Sequence, residues 1–171
     1  MVFRKPTDAD IDEIEAFKAE FAADGSTMDG TGLLSRVSAA EWLAAIRAAE
    51  DRSKPDSVPC LLYGLFDEEG RRLVGLIQLR LRLTGYLQDF GGHIGYCVRP
   101  TERRKGYAKA MLRCALDVCR TEGLSRVLIT CLETNVGSAK TIEACGGVYE
   151  KTVYDDKNYK ANMKRYWIEL A

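Results

Sequence analysis

The chain has 171 residues, with 25 basic side chains balanced by 25 acidic ones. That length fits one domain able to bury its own core. Zero net charge offers no general attraction to nucleic acid or to an anionic membrane. Six cysteines without a C-x-x-C pair and a single histidine do not make a zinc site of the usual spacing. The cysteines mostly fall in apolar runs and read as reduced, structural thiols. Met1 is followed by charged residues rather than an apolar leader, and no apolar stretch is long enough to span a bilayer, so a cytoplasmic location is expected.

Val2 to Arg4 reads as a short first strand, and Pro6-Thr7-Asp8 opens a helix. Ile11, Ile14, Phe17 and Phe21 recur at helical spacing on it, while its other face is acidic. Asp24 to Gly32 is rich in Gly, Ser, Thr and Asp and reads as a loop. Ser38-Ala39-Ala40-Glu41 is a capping-box pattern for a second helix, with Trp42, Leu43, Ile46 and Ala49 as its apolar face. Cys60 to Phe66 is a strand, and Asp67 to Gly70 a turn. Arg72 to Leu83 alternates, with Leu73, Ile77, Leu79, Leu81 and Leu83 on one face and Gln78, Arg80 and Arg82 on the other. Gly91-Gly92 precedes a fourth strand, His93 to Val98, which Pro100 stops. A helix from Tyr107 to Glu122 carries an Ala108, Leu112, Ala115 and Cys119 ridge, and Gly123 fits its C-cap. Arg126 to Leu132 is a continuous apolar run, as for a strand buried on both faces. A short helix from Ser138 to Ala144 ends at Cys145-Gly146-Gly147. Val148 to Tyr154 and Met163 to Leu170 read as a closing antiparallel pair, the second offering an edge for a dimer.

The chemistry concentrates between Val98 and Lys109. Backbone N–H groups at a helix start lack intrahelical partners, and the helix dipole adds partial positive charge. Together they form an anion site. Gly106 lets a phosphate approach the backbone, and Ala108 is small for the same reason. Arg103, Arg104, Lys105 and Lys109 add charge around it. Neither G-x-x-x-x-G-K-[ST] nor G-x-G-x-x-G is present.

Arg103-x-x-Gly106-x-Ala108, following a strand that ends in Val98-Arg99-Pro100, resembles the acyl-CoA pyrophosphate loop of the GNAT N-acetyltransferase superfamily. Asn135-Val136-Gly137-Ser138, leading to Gly146-Gly147, resembles that family's N-x-x-S segment and the helix that follows it. The order of elements agrees from Val2 to Leu170, and His93-Ile94-Gly95-Tyr96-x-Val98-Arg99-Pro100 is similar to a bacterial branch of the superfamily. The resemblance implies an α+β, three-layer fold. A mostly antiparallel, twisted sheet of about seven strands would be flanked by about four helices and splayed between strands four and five. It implies acetyl-CoA as co-substrate, with no metal. Backbone groups near Tyr96, Cys97 and Val98 would pair with the pantetheine arm, and Arg103 to Ala108, Tyr107 included, would hold the pyrophosphate. Asn135 and Ser138 would sit near the thioester, and a backbone N–H near Val98 would polarise its carbonyl.

Acetyl transfer to an amine with pKa about 10.4 needs a base to free the amine and a proton for the departing thiolate. His93, the only histidine, is the candidate base, with Asp89 and Glu133 as rivals; the alternative for His93 is a packed ring satisfied by backbone. Many relatives carry a tyrosine in the last helix as the acid, but the matching position here is Ile142. Tyr107, Tyr149, Tyr154 or water would have to substitute, and an acyl-CoA-binding module without turnover stays open as the rival reading. The acceptor would be a small-molecule or peptide amine. The acidic Asp8–Asp29 segment would suit a cationic acceptor, and Arg80 and Arg82 an acidic one, although both sets read first as surface charge. Trp42 and Trp167 read as packed side chains, and a monomer or homodimer is expected.

Overall fold

A computed structural model describes residues 1–53 and 55–170. Seven strands form one sheet: β1 (Val2–Arg4), β2 (Cys60–Phe66), β3 (Leu73–Arg80), β4 (Ile94–Val98), β5 (Arg126–Leu132), β6 (Val148–Asp155) and β7 (Ala161–Glu169). Their spatial order is β1-β2-β3-β4-β5-β7-β6. Every neighbouring pair is antiparallel except β4–β5. The four helices are α1 (Ile11–Asp24), α2 (Ala39–Ala48), α3 (Tyr107–Thr121) and α4 (Val136–Glu143). Among the described residues no helix is long and apolar enough to cross a membrane.

The sheet separates two cores, giving the expected three layers. On one face α1 and α2 bury Ile14, Phe17, Phe21, Trp42 and Leu43 against Leu62, Phe66, Leu73 and Leu76. On the other face α3 and α4 bury Met111, Leu112, Leu116 and Ile142 against Ile77, Leu79, Val127 and Ile129. The starts of the elements follow from local chemistry. Ser38 Oγ accepts from the Glu41 N–H, and the Glu41 carboxylate accepts from the Ser38 N–H at 3.0 Å, which closes the capping box of α2. Asn135 Oδ1 accepts from the Ser138 N–H at 3.0 Å and caps α4 two residues earlier than the sequence suggests. Gly123, at φ +82°, ends α3 as expected. The six cysteines are all free.

Two expectations are corrected. The alternation of β3 is broken by a bulge: Leu65 pairs with Gly75 but Phe66 pairs with Leu73, leaving Val74 as an extra residue. Leu73 therefore packs with α1 and α2, while Ile77 and Leu79 pack on the α3 side. The edge strand is β6, because β7 inserts between β5 and β6. Any pairing with a second chain on that side would use β6, not Met163 to Leu170.

Candidate functional site

β4 and β5 share a single register pair, Ile94 with Ile129, beside a hydrogen bond from His93 N–H to Leu128 O at 2.7 Å. Beyond it the strands part. On its other edge β4 is fully bound to β3, with Arg99 N–H donating to Val74 O at 2.8 Å and Arg80 N–H to His93 O at 2.7 Å. From Gly95 to Arg99 the odd-numbered residues thus turn their backbone groups toward β3, whereas His93 divides its own between β3 and β5. By strand alternation the N–H and C=O groups of Tyr96 and Val98 face the gap, and those of Cys97 do not. A cleft of about 870 Å³ runs through this gap, a size typical of small-molecule sites.

At one end lies the basic loop. Gly106 is the N-cap of α3 at φ +85°, and the first intrahelical bond runs from Ala110 N–H to Gly106 O. The N–H groups of Tyr107, Ala108 and Lys109 therefore have no helical acceptor and line the cleft. Nothing lies within 4 Å of where a Gly106 side chain would start, so the approach to the backbone is open. Of the predicted residues, Tyr96, Cys97, Val98, Arg103, Arg104, Gly106, Tyr107, Ala108, Lys109, Asn135 and Ser138 all line this one cleft. Lys105 is not among the lining residues; its Nζ pairs with Glu102 at 2.9 Å.

Much of the local charge is internally matched. Arg103 pairs with Asp24 at 3.0 Å, donates to Ser26 Oγ at 2.6 Å and lies over the Phe21 ring. Buried Arg99 pairs with Glu13 at 2.6 Å and Glu20 at 3.5 Å. The acidic face of α1 therefore holds the basic loop in place. It is neither a bare solvated face nor a ready-made cation pocket. Arg104 lies in the left-handed region at φ +68°. Among the described residues neither it nor Lys109 has a carboxylate partner, so both are available to an anionic ligand in the cleft they line.

Midway, Tyr96 turns its ring toward α4, and its hydroxyl lies 2.9 Å from Ser138 Oγ. Burial pushes its phenol up to about 12, so it carries its proton at neutral pH. Ile142 is fully buried in the core and has no opening to the reaction. Tyr149 and Tyr154 are exposed on β6 and do not line the cleft, whereas Tyr107 does.

The far end is polar. Asp29, Gly30, Arg80, Tyr86, Phe90 and Tyr159 converge there. The Tyr86 hydroxyl donates to buried Asp155 at 2.5 Å, and Asp155 also accepts from the N–H groups of Lys157, Asn158 and Tyr159. Burial opposes ionisation of Asp155, but these donors outweigh it and leave its pKa at about 2. Sequence reasoning missed Tyr86, Tyr159 and Asp155. Tyr86 and Tyr159 line the cleft from the β3–β4 and β6–β7 connections, and Asp155 behind them bonds to both, a juxtaposition that leaves no local signal.

His93 lies elsewhere. It lines a separate, smaller pocket with Leu83, Gln88, Arg126, Arg165 and Trp167. Its Nδ1 accepts the Leu128 N–H at 2.8 Å, which places the ring proton of neutral His93 on Nε2. Burial, with Arg80 and Arg126 nearby, lowers its pKa to about 4. The packed-ring alternative describes this geometry better than a base does. The rivals fare no better: Glu133 accepts from Asn162 Nδ2 at 2.9 Å, and neither it nor Asp89 lines the cleft.

A parallel strand pair that splays beside a phosphate-type helix start is a distinctive arrangement. The GNAT acetyltransferase domain model matches residues 1–148. The chain belongs to the GNAT acetyltransferase family. Solved structures agree in fold. A mutant spermidine N-acetyltransferase from Vibrio cholerae superposes with TM-score 0.69 at 17% identity, covering 99% of this chain and 95% of that one. A ribosomal-protein-S5-alanine acetyltransferase from Vibrio fischeri gives 0.75 at 15% identity, covering 98% and 91%. A ribosomal L7/L12 alpha-N-protein acetyltransferase in complex with coenzyme A gives 0.71 at 12% identity, covering 98% and 92%. No curated protein matches in sequence. The GNAT assignment makes this chain an acetyltransferase, which removes the binding-only reading that Ile142 had kept open.

Proposed function

We propose that this GNAT enzyme transfers an acetyl group from acetyl-CoA to a primary amine by direct attack in a ternary complex. The observation that carries the reading is one continuous cleft joining three features: unpartnered helix N–H groups, a strand gap lined by free backbone groups, and a polar end. Acetyl-CoA supplies an activated acyl carbon on a good leaving group. The N–H groups of Tyr107, Ala108 and Lys109, with Arg104 and Lys109 as counter-charge, hold the pyrophosphate. The backbone of Tyr96 and Val98 pairs with the pantetheine arm as an added strand would, and the Val98 N–H polarises the thioester carbonyl.

The amine nitrogen bonds to the acyl carbon, the carbon–sulfur bond breaks, and the sulfur departs with its electron pair. Tyr96 O–H donates to that sulfur in place of the tyrosine that Ile142 displaces, and Ser138 Oγ orients the phenol. The attacking amine loses its proton to water at the polar end, where Asp29 is the carboxylate in reach of the cleft. His93 takes no part.

The test is calorimetric titration of acetyl-CoA, followed by thiol release with a panel of amines. Micromolar binding that Gly106→Glu abolishes, together with amine-dependent thiol release, supports the reading. Binding that survives Gly106→Glu unchanged would remove the loop from the site.

A further inference from the structure

Four arginines among the described residues are not surface-exposed: Arg4, Arg80, Arg99 and Arg165. Three of them face a carboxylate. Arg4 pairs with Asp10 at 2.7 Å, Arg99 with Glu13 at 2.6 Å, and Arg165 with Glu150 at 2.7 Å. Arg80 pairs with no carboxylate among the described residues. It donates from Nη1 to the carbonyls of Gly91 and Gly92 at 3.2 and 3.1 Å, and from Nη2 to Gln78 Oε1 at 3.2 Å. All three acceptors are neutral and the bonds are long. A guanidinium has five donors. Here Nε–H and one Nη2 hydrogen stay unused, and Nε and Nη2 form the side edge that grips a carboxylate in bidentate fashion.

Its place in the fold matters as much as its lack of a partner. Arg80 lines the reaction cleft, at its polar end. Its Nη2 lies 3.9 Å from where a Gly95 side chain would start, one residue along β4 from Tyr96. Arg82, two residues on, donates instead to the carbonyls of Pro55 and Ser57 on an exposed surface. A cation held partly out of water with no counter-charge is costly. In a cleft, a ligand can supply the missing charge.

We infer that Arg80 is a specificity residue that binds a carboxylate on the acceptor, so that the acetylated amine belongs to an amino acid or a similar amino acid-like molecule rather than to a polyamine. This rests on the transfer reading above and narrows it. Asp29 at the same end of the cleft is the complementary charge for the ammonium group of such a molecule. Burial lowers the pKa of Arg80 without discharging it at neutral pH, so the cation is present when the acceptor arrives.

The test uses matched pairs: phenylalanine, methionine, glutamate and lysine, each beside its α-carboxamide, with spermidine as the carboxylate-free polyamine. Thiol release with acetyl-CoA gives kcat/KM for each. The expected result is that at least one acid outruns its own amide and spermidine by about 10- to 100-fold, the range for a charge-assisted pair. Arg80→Gln should bring that ratio close to one, mainly through KM for the acid, with acetyl-CoA affinity held. Arg80→Lys should recover part of it. Amides or spermidine turned over as well as the acids would overturn the inference, as would a ratio that survives Arg80→Gln. Because Arg80 also holds the Gly91–Gly92 turn, the wild-type ratio alone decides if Arg80→Gln fails to fold. Should wild type release no thiol with any amine, calorimetry of the same pairs on the CoA-loaded protein separates the two readings. Acid-selective binding lost in Arg80→Gln would uphold carboxylate recognition while the transfer reading fails. Equal or absent binding of acid and amide would sink both.

Discussion

At the scale of single residues, the site turns on where a proton can sit. Tyr96 keeps its proton because burial outweighs the Ser138 hydroxyl that would favour the phenolate. A group of that kind serves a departing thiolate as a hydrogen-bond donor first. Removing the hydroxyl while keeping the ring isolates this role. Tyr96→Phe should lower kcat by about 10- to 100-fold, the value of one hydrogen bond to a charged atom, and leave KM for acetyl-CoA within about threefold. Steady-state kinetics with any accepted amine measures it; a rise in KM for acetyl-CoA with kcat unchanged would mean that the phenol only shapes the binding gap. His93 makes the opposite case. An asparagine side chain at this position could present its Oδ1 where Nδ1 now accepts the Leu128 N–H. His93→Asn should therefore retain kcat within about twofold across neutral pH. Loss of the acidic limb of the pH–rate profile, together with a large fall in kcat, would restore the histidine as a base.

At the scale of elements, most of the proposed donor half of the site is readable from sequence because its signals are local. Val98-Arg99-Pro100 ends a strand, Gly106 opens a helix, and Asn135 caps the next one, each within a few residues of the chemistry it supports. The acceptor half is not local. Gly30 sits in a loop that sequence marks only as polar, yet its backbone lies so close to β4 that an added Cβ would stand 2.0 Å from Gly95 O. That contact joins residues far apart in the chain, and a lone Gly-rich stretch gives no hint of it. Arg80 fits the same explanation, since alternation places it on a polar position but the bulge at Val74 and the splay of β4 decide that this position lines a cleft. The pairing of Asp24 with Arg103 and of Glu13 with Arg99 also escapes a linear reading, which sees two oppositely charged segments but not their contact. Gly30→Ala should force its loop off β4, at a cost compounded by φ +73° at that position. The expected outcome is a rise of tenfold or more in KM for the amine and little change in acetyl-CoA affinity, because the phosphate loop lies at the other end of the cleft. A matching loss of acetyl-CoA binding would show that the loop closes the whole cleft rather than its acceptor end.

For the whole molecule, the same groups set how the fold responds to acid. His93 is neutral in the native state with a pKa of about 4, against an ordinary value of 6.5, because it is buried near Arg80 and Arg126. The unfolded chain therefore binds a proton first as pH falls, and stability contributed by neutral His93 declines from about pH 6.5 to about 4. Across that window the loss is on the order of 2 kcal/mol once solvent screening of the part-exposed ring is allowed for. Asp155 acts lower down. Its native pKa of about 2 lies below the ordinary carboxylate value of 3.8, so its stabilisation is complete above that value and disappears as pH falls through about 2. The two windows adjoin, and both destabilise in the same direction. They act at different places, since Asp155 anchors Tyr86 beside the polar end of the cleft and His93 bonds β5 where β4 begins to leave it. Denaturant unfolding at a series of pH values should show stability falling in two stages, the first starting near pH 6.5. His93→Asn should flatten the first stage and spare the second, since the amide that replaces imidazole does not titrate. Asp155→Asn should flatten the second and spare the first, at the expense of lower stability at neutral pH, because a neutral amide with one acceptor oxygen cannot take up all the hydrogen bonds that the carboxylate receives from Tyr86, Lys157, Asn158 and Tyr159. A first stage that persists unchanged in His93→Asn would assign it to other groups and would reopen the question of where the histidine proton goes.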